Sequence, residues 1–183
     1  MDAAPRRQRP RLPLPDAEAD VLESLPLELL NAILSRLPLR DAVRTSSLTR
    51  PWRRRWQSVP SLKFEWDESA NPGAVNDVLR IYSYPVREFR HSAVGEASFR
   101  HSDRWLRLLA LKGVRTLQLD FHRSHSHGGL VHRLHPSISS CRELTFLYLG
   151  GCNIPATPPG FAGLPNLTYL YLNGVGFPEG ARE

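Results

Sequence analysis

Five of the seven histidines lie within residues 121–135, and imidazoles spaced this closely are potential ligands for zinc or copper. The same segment carries interspersed arginines, has only Asp120 as a neighbouring acid, and lacks a cysteine at ligand spacing. A structural zinc site requires a closed set of four ligands. The pattern therefore favours a solvated polar loop, and the sequence predicts no metal and no other cofactor.

The run Arg50-Pro51-Trp52-Arg53-Arg54-Arg55-Trp56 is a second group of side chains that could bind a ligand. Three short helices ending in such a basic stretch could form a DNA-binding helix-turn-helix. The last of these helices is too short and too rich in tryptophan to suit the major groove, and no arm or dimer element accompanies it. Nucleic-acid binding is kept as an alternative, and its signature would be a salt-sensitive affinity for DNA.

The sequence lacks the motifs of common enzyme classes: a glycine-rich phosphate loop, a nucleophile elbow, or a carboxylate pair at a recognisable spacing. Cys141 and Cys152 are too few for a disulfide framework, which favours a reducing compartment, the nucleus, the cytoplasm or both. No run approaches the length of a membrane span, and the first residues lack the apolar core of a secretory signal. We therefore expect an intracellular protein without catalytic activity.

The composition divides the 183 residues into three parts. Residues 1–20 combine four prolines and four arginines without hydrophobic periodicity, which predicts a disordered tail. Its PRRQRPR stretch contributes to the net charge of +6 and is a candidate nuclear import signal. Residues 21–57 predict a helical module, and residues 58–183 an alternation of strands and helices.

Two Leu-Pro pairs, Leu25-Pro26 and Leu37-Pro38, organise the helical module. Ser24 is a suitable N-cap, apolar residues then recur at helical spacing, and the second proline ends the helix. A second helix is predicted at residues 41–46, and a third after Thr49, with two tryptophans on one face. So small a module rarely folds alone. Its wide apolar stripe therefore either docks on another protein or completes a core shared with the rest of the chain.

The order of residues in this module resembles the F-box. The matching positions are Leu25-Pro26-x-Glu28-Leu29-Leu30-x-x-Ile33-Leu34-x-x-Leu37-Pro38-Leu39-x-Asp41-Ala42-Val43-Arg44, Ser47-Leu48-Thr49-Arg50 and Trp52-Arg53, and Pro51 departs from the usual basic or polar residue. In that family the motif docks on a Skp-type adaptor, which connects it to a cullin-based ubiquitin ligase. The resemblance implies these adaptor-facing residues: Leu25, Pro26, Leu29, Ile33, Leu34, Leu37, Pro38, Leu39, Val43, Leu48 and Trp52.

Leucines in residues 58–183 follow the leucine-rich-repeat template. The segment Leu144-x-x-Leu147-x-Leu149-x-x-Cys152-x-Ile154 fits it, a second copy begins at Leu167, and two earlier segments, 86–89 and 114–119, fit more loosely. Between the strands, Asn71 and Ser102 are predicted to cap helices. Stacked repeats share one core because each strand points leucines inward. The predicted fold is a small all-α module followed by a short α/β leucine-rich-repeat solenoid.

An F-box followed by irregular leucine-rich repeats resembles the plant F-box/LRR proteins, whose repeats are thought to recruit the substrate. The resemblance implies a non-catalytic substrate-recognition subunit of an SCF-type (Skp–cullin–F-box) E3 ubiquitin ligase, acting on an unknown protein. The candidates for substrate contact are outward positions on the strands, which equally suit ordinary surface residues: Thr116, Gln118, Tyr148, Tyr169 and Tyr171.

Two further expectations concern the role of the repeats and the end of the array. A protein-interaction scaffold without a ligase role is an alternative to the adaptor function. The chain stops at Glu183, soon after a repeat that ends at Phe177, and no polar cap is evident there. We therefore expect the repeat array to be truncated or to be part of a longer one.

Overall fold

The computed structural model describes residues 24–48, 50–59, 64–66, 71–94, 96–122 and 132–178. The tail predicted at residues 1–20 and most of the histidine-rich segment, residues 123–131, lie outside these ranges. Within them, no helix is long and apolar enough to cross a membrane.

Two short α-helices come first, α1 at Leu27–Arg36 and α2 at Leu39–Arg44. Each begins directly after a proline, since Pro26 and Pro38 occupy the N-cap positions, where proline has no side-chain hydrogen bond to offer. The N-cap of α1 is therefore Pro26 and not Ser24, as the sequence had predicted. Leu37 is extended (ψ 144°), as expected for a residue that precedes proline, and this ends α1 at Arg36.

The third α-helix predicted after Thr49 is replaced by two 3-10 turns, Arg50–Trp52 and Arg55–Ser58. Thr49 itself lies outside the described residues. Both tryptophans of this stretch, Trp52 and Trp56, are buried. The two tryptophans therefore reach the core from two separate turns and not from one face of a single helix.

The rest of the chain is built on a five-stranded parallel sheet. Its strands are β1 (Phe64–Trp66), β2 (Glu88–Val94), β3 (Thr116–His122), β5 (Phe146–Gly150) and β7 (Tyr169–Asn173), and they lie side by side in chain order. A two-stranded parallel sheet pairs β4 (His132–Arg133) with β6 (Cys152–Asn153). The register aligns Leu117 with Leu147 and Leu147 with Leu170, the same template position in successive repeats. The predicted helical module followed by an α/β repeat fold is confirmed.

The segments that connect one strand of the main sheet to the next become less helical along the chain. The helices α3 (Pro72–Ile81) and α4 (Glu96–Leu111) follow β1 and β2. A single 3-10 turn, Pro136–Ser140, lies between β4 and β5, and irregular chain follows β6. The later repeats therefore have less material with which to cover their inward leucines.

Of the two helix caps predicted after residue 58, the one at Asn71 is confirmed and the one at Ser102 is wrong. Asn71 caps α3, because its side chain accepts a hydrogen bond from the Gly73 backbone N–H at 2.8 Å. Ser102 lies inside α4, where its hydroxyl donates to the Phe99 carbonyl at 2.8 Å. The serine hydroxyl therefore forms its hydrogen bond within the preceding turn of α4 and does not cap the start of the helix.

One hydrophobic core extends from α1 to β6. The inward row of the sheet contributes Phe89 and Leu117, both fully buried, and the ring of Trp105 from α4 lies 6.2 Å from that of Phe89. Leu30 and Leu34 of α1 belong to the same cluster. Part of the apolar stripe of the helical module thus completes a core that it shares with the repeats.

Candidate protein-interaction surfaces

The helix α1 divides its apolar residues between the core and the surface. Leu27, Leu29 and Ile33 are exposed by 51%, 47% and 39%. Leu48, beyond α2, is exposed by 53%. We call these four residues the exposed apolar set. Large apolar side chains concentrated at a surface mark an interaction site more often than scattered ones do.

The eleven residues implied to face the adaptor fall into three groups in the structure. The exposed ones are Pro26, Leu29, Ile33, Pro38 and Leu48; the half-buried ones are Leu25, Leu37 and Val43; and the buried ones are Leu34, Leu39 and Trp52. The buried group packs within the chain and supports the surface from beneath. Leu27 was missed, because its position is unconstrained in the motif pattern.

The five residues predicted to contact a substrate all lie on the outward face of the sheet. They form two rows across β3, β5 and β7, with Gln118, Tyr148 and Tyr171 aligned in one, and Thr116 and Tyr169 on either side of Phe146 in the other. Their side chains point outward because their neighbours in the strands point inward. Tyr169 and Tyr171 are exposed, and the other three are half-buried. Their role in substrate contact stays a prediction.

Phe146 joins these residues and was missed from the sequence. Its ring centroid lies 6.4 Å from that of Tyr169 and 5.6 Å from that of Tyr171. It occupies the same template position as Thr116 and Tyr169, directly before the inward leucine, so the repeat pattern itself could have identified it. Aromatic side chains clustered on a surface are frequent anchors in protein interfaces.

The opposite end of the outward face is charged. On β2, the Arg90 guanidinium and the Glu88 carboxylate lie 2.7 Å apart. At the aromatic end, the amide of Asn173 donates to the hydroxyl of Tyr148 at 3.5 Å. The face therefore changes from charged at β2 to aromatic at β5 and β7.

Behind β7 the inward leucines are incompletely covered. Leu170 and Leu172 are exposed although they continue the inward rows of the sheet. They border an apolar groove of about 210 Å³ that is also lined by Leu147, Leu149 and Phe177. The thin layer after β6 accounts for this groove, since residues 154–168 and 174–178 form no helix that could cover the last repeat.

Two histidines at the end of the histidine-rich segment contact α4, namely His132 and His135. His132 Nε2 lies 3.0 Å from Ser102 Oγ, and the His132 ring stacks on Phe99 with 4.7 Å between centroids. Burial lowers the pKa of His132, opposed by the charge of Asp103. His135 lies 2.9 Å from an Arg107 nitrogen.

This serine–histidine pair does not form a nucleophilic site. Ser102 is fully buried, and its hydroxyl donates to a backbone carbonyl.

Among the described residues, no group of three or more histidine, cysteine, aspartate or glutamate side chains could hold a metal ion. Residues 123–131 of the histidine-rich segment are not among the described residues.

Both cysteines are buried and free. Burial raises the pKa of the Cys141 thiol to about 12. Burial, together with the charge of Asp120, raises the pKa of the Cys152 thiol to about 11. Thiols held in their neutral form behave as small apolar side chains and are poor nucleophiles.

Comparisons with known families agree with this arrangement. The model of the F-box domain matches residues 22–64, and a model of the LRR repeats of the FBD-associated F-box protein At5g56370 matches residues 102–181. No solved structure matches the chain.

Curated proteins of Arabidopsis thaliana resemble the chain over both regions. It is 28% identical over 145 residues to the F-box/FBD/LRR-repeat protein At1g13570, covering 73% of this chain and 33% of that protein. It is 34% identical over 136 residues to the FBD-associated F-box protein At5g56370, covering 71% and 32%. The chain thus spans about a third of the length of these relatives. With an F-box domain followed by leucine-rich repeats, it belongs to the F-box/LRR-repeat proteins.

Proposed function

We propose that this chain is a substrate-recognition subunit of an SCF-type E3 ubiquitin ligase. Its F-box domain binds a Skp-type adaptor and, through that adaptor, a cullin. Its repeats hold a protein substrate, and other subunits perform ubiquitin transfer. The chain itself contributes proximity, since holding a substrate beside the transfer machinery raises its effective concentration. The two free thiols suit a reducing compartment, so the proposal places the protein in the nucleus, the cytoplasm or both.

The observation that carries the adaptor half of the proposal is the exposed apolar set. All four of its residues fall within the F-box match at residues 22–64. Leu29 and Ile33 lie one helical turn apart and therefore form one side of α1. Burying half-exposed aliphatic side chains against a partner removes apolar area from water, which favours association.

The substrate half of the proposal is supported by the outward face of the sheet. Phe146, Tyr169 and Tyr171 offer rings that are already ordered by a rigid sheet, so their immobilisation on binding costs little entropy. Tyrosine also presents a hydroxyl that can hydrogen-bond a partner.

The decisive experiment measures direct binding of a purified Skp-type adaptor to the full chain by calorimetry. Leu29→Asp places a charge in the interface, and we expect it to weaken binding by about 2–4 kcal/mol, roughly thirty- to a thousandfold. Leu111→Asp is the matched control, because Leu111 is exposed by 85% at the end of α4, outside the F-box match. If both variants bind as well as the wild type, the F-box does not act through this surface and the ligase proposal fails.

The alternatives predict different results in the same assay. A scaffold without a ligase role would capture partners through its repeats and show no affinity for the adaptor. For the substrate half, a captured protein should be ubiquitinated in the reconstituted ligase, and both capture and modification should be lost in Tyr169→Ala/Tyr171→Ala. Capture that persists in this double variant would place the substrate site elsewhere.

A further inference from the structure

A cleft of about 630 Å³ beside α1 gathers four arginines. Its lining residues are Leu27, Asn31, Arg50, Arg53, Arg54, Arg55, Ser58 and Tyr84. None of the four arginines forms an ion pair with a residue that the structure describes, and none of the lining residues is acidic. We call this site the arginine cleft.

The chemistry of the arginine cleft suits an anion. Four guanidinium groups around one opening repel each other, and a negative ligand relieves that repulsion. Each guanidinium presents a planar fork of donors that matches a carboxylate. Ser58, Tyr84 and Asn31 line the same opening, and their side chains carry hydroxyl and amide donors.

An acidic protein segment fits this site better than nucleic acid does. The two tryptophans that could stack on bases, Trp52 and Trp56, are both buried. The arginines belong to 3-10 turns of three and four residues and the short link between them, which are too short to enter a major groove as a recognition helix. Tyr84 is the one aromatic residue among those that line the cleft, and a single ring offers no platform for successive bases.

The position of the arginine cleft connects it to the adaptor-binding surface. At 3.6 residues per turn, Leu27 and Asn31 lie on one flank of α1, and Leu29 and Ile33 lie on the other. Leu30 and Leu34, between the two flanks, face the core. A partner that contacts both flanks of α1 therefore meets Leu29 and Ile33 on one side, and Leu27 with the four arginines on the other.

We propose that the arginine cleft binds an acidic segment of the same Skp-type adaptor that docks on Leu29, Ile33 and Leu48, the members of the exposed apolar set outside the cleft. This inference rests on the proposed function and adds the chemistry of the partner. The apolar contacts provide the affinity, and the arginines speed association and select an adaptor with carboxylates beside its apolar groove, as charges at the edge of an interface do.

The test measures adaptor affinity for the full chain at 50, 150 and 500 mM NaCl, with variants matched in charge. We expect Arg53→Glu/Arg54→Glu to weaken binding about tenfold at 50 mM and about twofold at 500 mM, because salt screens exposed charges. The control is Arg104→Glu/Arg142→Glu, which makes the same charge change at exposed positions outside the cleft and the F-box match. Its affinity should stay within about twofold of wild type.

The outcomes separate the two proposals. If Leu29→Asp abolishes binding but the two charge variants behave alike, the arginine-cleft inference is overturned and the proposed function stands. If Leu29→Asp has no effect, the proposed function itself falls. A short DNA duplex serves as the competing probe. If the cleft variant loses affinity for this duplex at 150 mM NaCl while keeping wild-type affinity for the adaptor, the cleft is a nucleic-acid site and the inference is wrong.

Discussion

Replacing Trp52 by alanine should destabilise the fold, although the F-box resemblance implies a role for this residue in adaptor contact. Its side chain is only 3% exposed and belongs to the core cluster that extends from α1 to the repeats. An indole in that position has no surface to offer a partner. The truncation removes a large buried ring and leaves a cavity that the 3-10 turns around it can only partly close.

The expected size of the effect follows from this burial. Trp→Ala substitutions in cores cost about 3–5 kcal/mol. For a chain of this length each kcal/mol lowers the melting temperature by about 2–4 °C, so the midpoint should fall by roughly 6–20 °C. Leu48→Ala is the comparison, because the Leu48 side chain is exposed by 53% and its loss should cost about 1 kcal/mol or less.

The assay is thermal and urea unfolding of both variants, followed by adaptor binding at a temperature where both are folded. We expect Trp52→Ala to unfold earlier, and Leu48→Ala to melt near the wild type but bind the adaptor more weakly. A Trp52→Ala protein that melts within about 2 °C of the wild type and has lost adaptor binding would refute the assignment of Trp52 to the core.

Three more predictions concern the part of the chain after the F-box match. In the native chain at pH 8, Cys141 and Cys152 should resist a thiol reagent such as Ellman's reagent and react fully once urea unfolds the protein, whereas rapid labelling without urea would show that they are accessible. Their native pKa values of about 12 and 11 lie above the ordinary value of 9.0, so the unfolded state loses these protons first. Stability should therefore fall as the pH rises from about 9 towards 11, and Cys141→Ala/Cys152→Ala should reduce that fall, as urea titrations at each pH would show. Asn71→Ala should cost about 1 kcal/mol by removing the α3 cap, while Asn71→Asp should preserve the cap, and equal stability of the two would contradict the capping role.

The repeat architecture could be predicted because the alternation of leucines within each strand shows which side chains point inward. The alternation at Leu147 and Leu149 gives the inward face of β5 directly, and the same spacing at Leu170 and Leu172 gives β7. The outward positions follow from that alternation without any knowledge of tertiary contacts. The cap at Asn71 could be predicted for the same reason, since its hydrogen bond reaches only two residues along the chain.

Features that depend on distant partners could not be predicted in this way. Ser102 has the residue type of a helix cap, but α4 begins earlier, and the serine instead meets His132, thirty residues further on. Trp52 and Trp56 show an apolar spacing that suits a docking surface and a core equally well. In the structure both rings are buried in the core that the helical module shares with the repeats, and Leu29 and Ile33 remain exposed.

The strand order of the main sheet has a consequence for how the protein is made. Because β1, β2, β3, β5 and β7 lie side by side in the order of synthesis, each strand after β1 finds one hydrogen-bonding neighbour already translated when it leaves the ribosome. Folding can then proceed one repeat at a time from the amino-terminal end, as expected for stacked repeats. At every stage the newest strand forms one edge of the growing sheet, and its outer side is still unpaired. The risk of mispairing therefore moves along the nascent chain and reaches β7, with its exposed leucines, last.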